Sequence, residues 1–198
     1  GSKVHTYGLA NCNFTPATLT TFVESVTWAT ATMKKVVLSQ NFLFGTKSDG
    51  WGGVMHDCDA DQTGWSSLCD SFKGSSIEEL ILIDVGMGVN GVASLADAIK
   101  FMAAVARLTL SGNSITNYGG DLSGLKALCE VLPSLKNPIS LDLANCNFKV
   151  AEVNEVAQAI QASAAIARLN LSGNMITGST DVGMRRAKYD NDLSGLVS

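Results

Sequence analysis

The string "LANCNF" occurs twice in this chain, at Leu9–Phe14 and at Leu143–Phe148. "ARLTLSGNSIT" (Ala106–Thr116) is nearly copied by "ARLNLSGNMIT" (Ala167–Thr177), and "KVVLSQNFLF" (Lys35–Phe44) is a third relative. "DLSGL" begins at Asp121 and again at Asp192. Self-similarity on this scale is the mark of a chain assembled from stacked supersecondary units. None of them can bury its apolar face alone, so neighbours must supply the core.

Aligning the last leucine of each strand-like segment gives six units, at Leu9, Leu38, Leu82, Leu110, Leu143 and Leu171, with steps of 29, 44, 28, 33 and 28 residues. Each unit opens on an alternating pair: Tyr7/Leu9, Val36/Leu38, Leu80/Leu82, Leu108/Leu110, Leu141/Leu143 and Leu169/Leu171. Period-two alternation predicts a strand with one buried face. Three residues after the last leucine stand Cys12, Asn41, Val85, Asn113, Cys146 and Asn174. A buried asparagine there has a task, since its amide can bond the backbone of neighbouring turns where the chain leaves the strand. Helical periodicity follows over Pro16–Ala29, Gly64–Phe72, Asn90–Ala104, Leu122–Leu135 and Val150–Ala162, with Leu95, Ala98, Ile99 and Met102 marking one apolar face.

The L-x-L-x-x-[N/C] core, the alternation of Cys with Asn and the steps of 28 or 29 resemble the ribonuclease-inhibitor-type leucine-rich repeats. The resemblance runs over nearly the whole chain. It implies an α/β leucine-rich-repeat solenoid of about six repeats, a single array over residues 1–198 with a curved parallel sheet inside and helices outside. Val85 departs from the pattern where Cys is expected, and Pro138 stands where the first leucine of its repeat should be.

Composition narrows the function classes. With 46% hydrophobic and 16% charged residues the chain is globular. A net charge of -4 and no basic stripe argue against nucleic acid, and no apolar run is long enough to span a membrane. The five cysteines, Cys12, Cys58, Cys69, Cys129 and Cys146, form no CxxC pair. Reduced thiols in a cytoplasmic setting are expected.

Two motifs imitate ligand sites. "DADQTGWSSLCD" (Asp59–Asp70) follows calcium-loop spacing, with Asp59, Asp61 and Thr63 at the first ligand positions and Gly64 at the turn. The same stretch aligns with Tyr118–Glu130 and Tyr189–Leu196, so the repeat itself accounts for Asp61, Gly64 and Cys69, with Asp61, Asp121 and Asp192 as helix N-caps. "GMGVNG" (Gly86–Gly91) is a literal G-x-G-x-x-G, but the next strand, "ARLTL", ends without the acidic residue a dinucleotide site needs. No metal and no cofactor is expected from either. His5 and His56 have no evident catalytic partner, and no nucleophile stands beside a base.

What remains is the sheet face opposite the helices. Its expected ridges are Thr6, Lys35, Glu79, Arg107, Ser140 and Arg168, and then Gly8, Val37, Ile81, Thr109, Asp142 and Asn170. The insertions Thr46–Asp59, with Trp51, and Gly178–Asn191, with Arg185 and Arg186, are further candidates. The expected partner-binding set is Lys35, Val37, Glu79, Ile81, Arg107, Thr109, Asp142, Arg168, Asn170, Trp51, Arg185 and Arg186. The leading expectation is a non-enzymatic scaffold or recognition module binding a protein. A regulator or inhibitor of an enzyme, including the GTPase-activating type, and a calcium-dependent binder are alternatives. Gly1 and Ser2 read as an expression scar. The chain enters a repeat at once and stops inside "DLSGLVS", which suggests a segment of a longer array, or ends covered by self-association.

Overall fold

The computed structural model describes residues 4–28, 32–46, 57–162 and 165–177. Strands and helices alternate through them: β1 (Thr6–Gly8), α1 (Pro16–Ser25), β2 (Lys35–Val37), α2 (Thr63–Phe72), β3 (Glu79–Ile81), α3 (Val89–Ile99), β4 (Arg107–Thr109), α4 (Ser123–Val131), β5 (Ile139–Asp142), α5 (Val150–Ala162) and β6 (Ile166–Asn170). The strands form one six-stranded parallel sheet in chain order. Its register lays each unit directly on the next, so that Tyr7, Val36, Leu80, Leu108, Leu141 and Leu169 form a single row across the sheet. This α/β arrangement is compatible with a leucine-rich-repeat solenoid.

The expected inward residues of the four inner units form the core, while Tyr7, Leu9, Leu169 and Leu171 of the end units are half-buried against it. Val36, Leu38, Leu80, Leu82, Leu108, Leu110, Leu141 and Leu143 are all buried, and Leu95, Ala98, Ile99 and Met102 of the α3 segment close over them. Two helices stop sooner than their periodicity suggests. The first ends at Ser25, after which Trp28 folds back and its indole N–H donates to the Val23 carbonyl at 3.0 Å. The third ends at Ile99. The α4 segment tightens into a 3-10 turn over Leu132–Ser134, where Pro133 has no N–H to continue the α-helical ladder. Pro138 is exposed, and Ile139 turns inward beside it at a register irregularity between Ile139 and Ser140.

The asparagine ladder explains why Cys and Asn alternate. Asn41 accepts the N–H groups of Cys12 and Phe14, and its amide donates to the carbonyls of Leu9 and Leu38. Asn113 repeats this on Val85, Met87, Leu82 and Leu110. Asn174 repeats it on Cys146, Phe148, Leu143 and Leu171. Each asparagine therefore satisfies its own turn and the turn of the unit before it. The preceding unit needs no amide of its own there, so buried Val85 and Cys146 both serve as small apolar fillers, Cys12 stands exposed at the first unit, and the missing cysteine at Val85 is not a defect.

The helices show the same pairing. A Cβ on Gly64 of α2 would collide with the Pro16 carbonyl of α1, and a Cβ on Gly124 of α4 would collide with the Val89 carbonyl of α3. Glycine lets the second helix of each pair approach the start of the first. Units one and two form one block, and units three and four another. An edge-to-face series of rings, Tyr7 and Phe14 on Phe22, Phe22 on Trp28 and Trp28 on Phe72, fills the first block at centroid separations of 5.6–5.7 Å.

Candidate functional site

The two ligand-like motifs meet each other. One Asp59 carboxylate oxygen accepts the N–H of Gly88 at 2.8 Å, the other accepts that of Asn90 at 2.7 Å, and both lie 3.2 Å from the Gly91 nitrogen. The start of α3 is thus an anion-binding turn filled by the protein's own carboxylate. The glycines are dictated by this contact. A Cβ on Gly88 would stand 2.6 Å from an Asp59 oxygen, and one on Gly91 would stand 2.7 Å from both Asp59 and the Phe44 ring. The Trp65 indole donates to the Gly91 carbonyl at 2.9 Å and its ring lies 5.1 Å from Phe44. Together these contacts bolt the first block to the second.

The expected N-capping by Asp61 and Asp121 needs a small correction. The residues at the N-cap positions are Gln62 and Leu122, and each aspartate stands one residue earlier. Its carboxylate accepts the first helical N–H, of Thr63 at 2.9 Å and of Ser123 at 2.8 Å. These backbone bonds hold both carboxyl groups below their ordinary pKa. The displacement follows from the turn, which closes an Asx-type bond two residues forward. Asp192 lies outside the described residues. At the next block junction Glu152 is buried. It accepts the Lys149 N–H at 3.0 Å and faces the Thr116 hydroxyl at 3.4 Å.

A polar hollow of about 480 Å³ lies at the first junction, lined in part by Asp57, Asp59, Asn90, Ser114, Tyr118 and Asp121. The amide bonds just described already engage its Asp59 and Asp121 carboxylates. None of the five cysteines is in a disulfide. Burial pushes the Cys129 and Cys146 thiols up to about 12 and that of Cys69 higher still, so these three are packing residues without thiolate character.

The helix-free face of the sheet carries three ridges. On the first, Lys35 of β2 pairs with Glu79 of β3 at 3.0 Å, and Lys34 with Glu78 at 2.7 Å beside them. Further along the same ridge stand Arg107 and Arg168, both exposed, with half-buried Ser140 between them in register. On the second, Val37 lies beside Ile81, both half-buried, while Thr109 is only 8% exposed and offers little surface. Asp142 is bonded within this face. One oxygen accepts from the Ser111 hydroxyl at 2.7 Å, the Asn170 amide at 3.1 Å and the Ala144 N–H at 3.0 Å. A third ridge, missed by the sequence reading, contains Ser39, exposed Ile83, Ser111 and Ser172. The signal was present, because alternation continues one step beyond the last leucine. Trp51, Arg185 and Arg186 lie outside the described residues.

No family model matches the chain. It is similar to the protein named "NACHT, LRR and PYD domains-containing protein 14" of Mus musculus, at 27% identity over 125 residues. That match covers 62% of this chain and 12% of the mouse protein, so the chain spans a small part of its relative's length. The likeness points to repeats of the leucine-rich type. Among the described residues, no helix is long and apolar enough to cross a membrane.

Proposed function

We propose that this chain is a leucine-rich-repeat solenoid of the ribonuclease-inhibitor type whose function is to bind a protein through the helix-free face of its sheet, without catalysis of its own. The observation that carries the reading is the composition of that face. Six parallel strands paired in chain order, with the turn after β3, hold a half-exposed apolar strip, Val37, Ile81 and Ile83, next to charged side chains on a backbone locked by the asparagine ladder. Such a surface is preorganised, so binding costs little ordering entropy. Cysteines without disulfides, three of them buried, suit a reducing compartment.

The alternating strand–helix units and the likeness to the mouse repeat protein support the family reading. The test is affinity capture from the native source with the wild-type chain, Ile81→Asp and, on the helix side, Lys126→Glu, after circular dichroism shows that all three fold. A partner retained by Lys126→Glu and lost by Ile81→Asp is the expected result. Equal capture by both variants would overturn the assignment to this face.

A further inference from the structure

The charges on the helix-free face are unevenly spent. At β2 and β3, Lys35 is matched by Glu79 on the adjacent strand, and Lys34, just before β2, by Glu78, just before β3. On β4 to β6 the balance fails. Among the described residues, Arg107 and Arg168 have no carboxylate within ion-pair distance, and neither their guanidinium groups nor the Ser140 hydroxyl has a hydrogen-bond partner. Register places the three residues side by side, Arg107 against Ser140 and Ser140 against Arg168. With strands about 4.8 Å apart, the two arginines are rooted roughly 10 Å from each other across the serine. Asp142, the nearby acid, is drawn into bonds with Ser111, Asn170 and Ala144 instead of toward the arginines.

We infer that Arg107, Ser140 and Arg168 form a receptor for a carboxylate side chain of the bound protein. This inference rests on the interaction role proposed for the face and names the chemistry of its partner. Two guanidinium forks with a hydroxyl between them match the planar fork of a carboxylate. The apolar strip sets the second requirement. Ile81 lies on β3, two strands from Ser140 and two residues further along, so the partner presents an apolar side chain roughly 12 Å from the acidic one. A polyanion such as nucleic acid suits the face poorly. Asp142 and the Glu79 and Glu78 carboxylates flank the arginines, and the chain as a whole carries a charge of -4. The site therefore selects a local acidic group beside an apolar one, and not an extended negative strand.

The experiment is a selection of random linear peptides displayed on phage against the intact chain. Enriched sequences are then synthesised and measured by fluorescence anisotropy. The expected result is enrichment of Asp or Glu at a fixed spacing from an apolar residue. Affinity should fall about tenfold for Arg107→Gln or Arg168→Gln, as for loss of a charge-assisted bond, and similarly when the acidic residue is exchanged for its amide. It should also weaken with salt. Both arginines are exposed, so unchanged melting temperatures separate these losses from misfolding. Peptides that lose binding to Ile81→Asp but ignore both arginine variants and the amide exchange would overturn the carboxylate receptor and leave the interaction face standing. Peptides indifferent to Ile81→Asp and to the arginine variants alike would overturn the face as well. A selection with no binder dependent on the two arginines also refutes the receptor.

Discussion

The side-chain oxygen of Asn113 accepts the backbone N–H of Val85, 28 residues earlier in the chain, at 3.1 Å. The same amide donates to the carbonyls of Leu82 and Leu110, so one side chain closes two successive turns of the array. Replacing it with alanine leaves several buried backbone groups unpaired. Asn113→Ala is therefore expected to cost about 2–3 kcal/mol. Cys146→Ala, at the filler position, is expected to cost about 1 kcal/mol, as for the loss of a small apolar group. Urea unfolding monitored by circular dichroism measures both. Equal losses would contradict the division between clamping and filling units.

The Asp59 contact joins the two blocks, so its removal should weaken the whole array. Asp59→Asn turns one acceptor into a donor facing N–H groups and is expected to lower stability by about 1–3 kcal/mol. Asp57→Asn, on an exposed neighbour, should be close to neutral. The Asp59 oxygens are engaged by amides, so calcium should leave the melting temperature unchanged. A saturable calcium heat in calorimetry, abolished by Asp59→Asn, would show the opposite use of this loop.

Gly124 allows α4 to rest on the Val89 carbonyl and the Val92 methyl group of α3. Gly124→Ala is favourable for helix propensity, yet it is expected to destabilise by roughly 1–3 kcal/mol because backbone must move to admit the methyl group. Gly74→Ala meets no neighbouring atom but has a positive φ, so it reports backbone strain without crowding. Thermal melts of the two variants separate the causes. A stabilised Gly124→Ala would contradict the close helix approach.

Asp61 and Asp121 have folded pKa values below the ordinary 3.8, held down chiefly by backbone N–H bonds. A depressed carboxylate pKa contributes stability that is present above the unfolded value and is lost as pH falls through the folded one. The double variant Asp61→Asn/Asp121→Asn keeps both acceptor oxygens and removes the titration. Its melting temperature should lie slightly below the wild type near neutrality, fall less steeply below about pH 4 and converge on the wild type there. Identical acid limbs would show that the two carboxylates carry no linkage.

The core was legible in the sequence because the repeat states it six times, and the alternation of Tyr7/Leu9 through Leu169/Leu171 matches the observed register. The role of the asparagines was legible too, since a buried amide at a chain exit must bond backbone. Their division of labour was not. It depends on Asn41, Asn113 and Asn174 reaching backward by one unit, and local spacing does not encode direction. The union of Asp59 with Gly88 and Gly91 was hidden for a similar reason. Each motif alone suggests an external ligand, and only the fold brings the carboxylate to the glycine turn across about thirty residues. Within the candidate face, positions were readable but accessibility was not. Thr109 is buried between its neighbours, and Ile83 emerges one step past the strand.

The central claim is that the helix-free face is where a protein partner sits. Photo-crosslinking tests it most directly, with a photo-reactive side chain placed in turn at Ile81 and Ser140 on that face and at Lys126 and Gln158 on the helices. The captured partner is expected to crosslink from Ile81 and Ser140 and not from Lys126 or Gln158. Crosslinks confined to the two helical positions would contradict it.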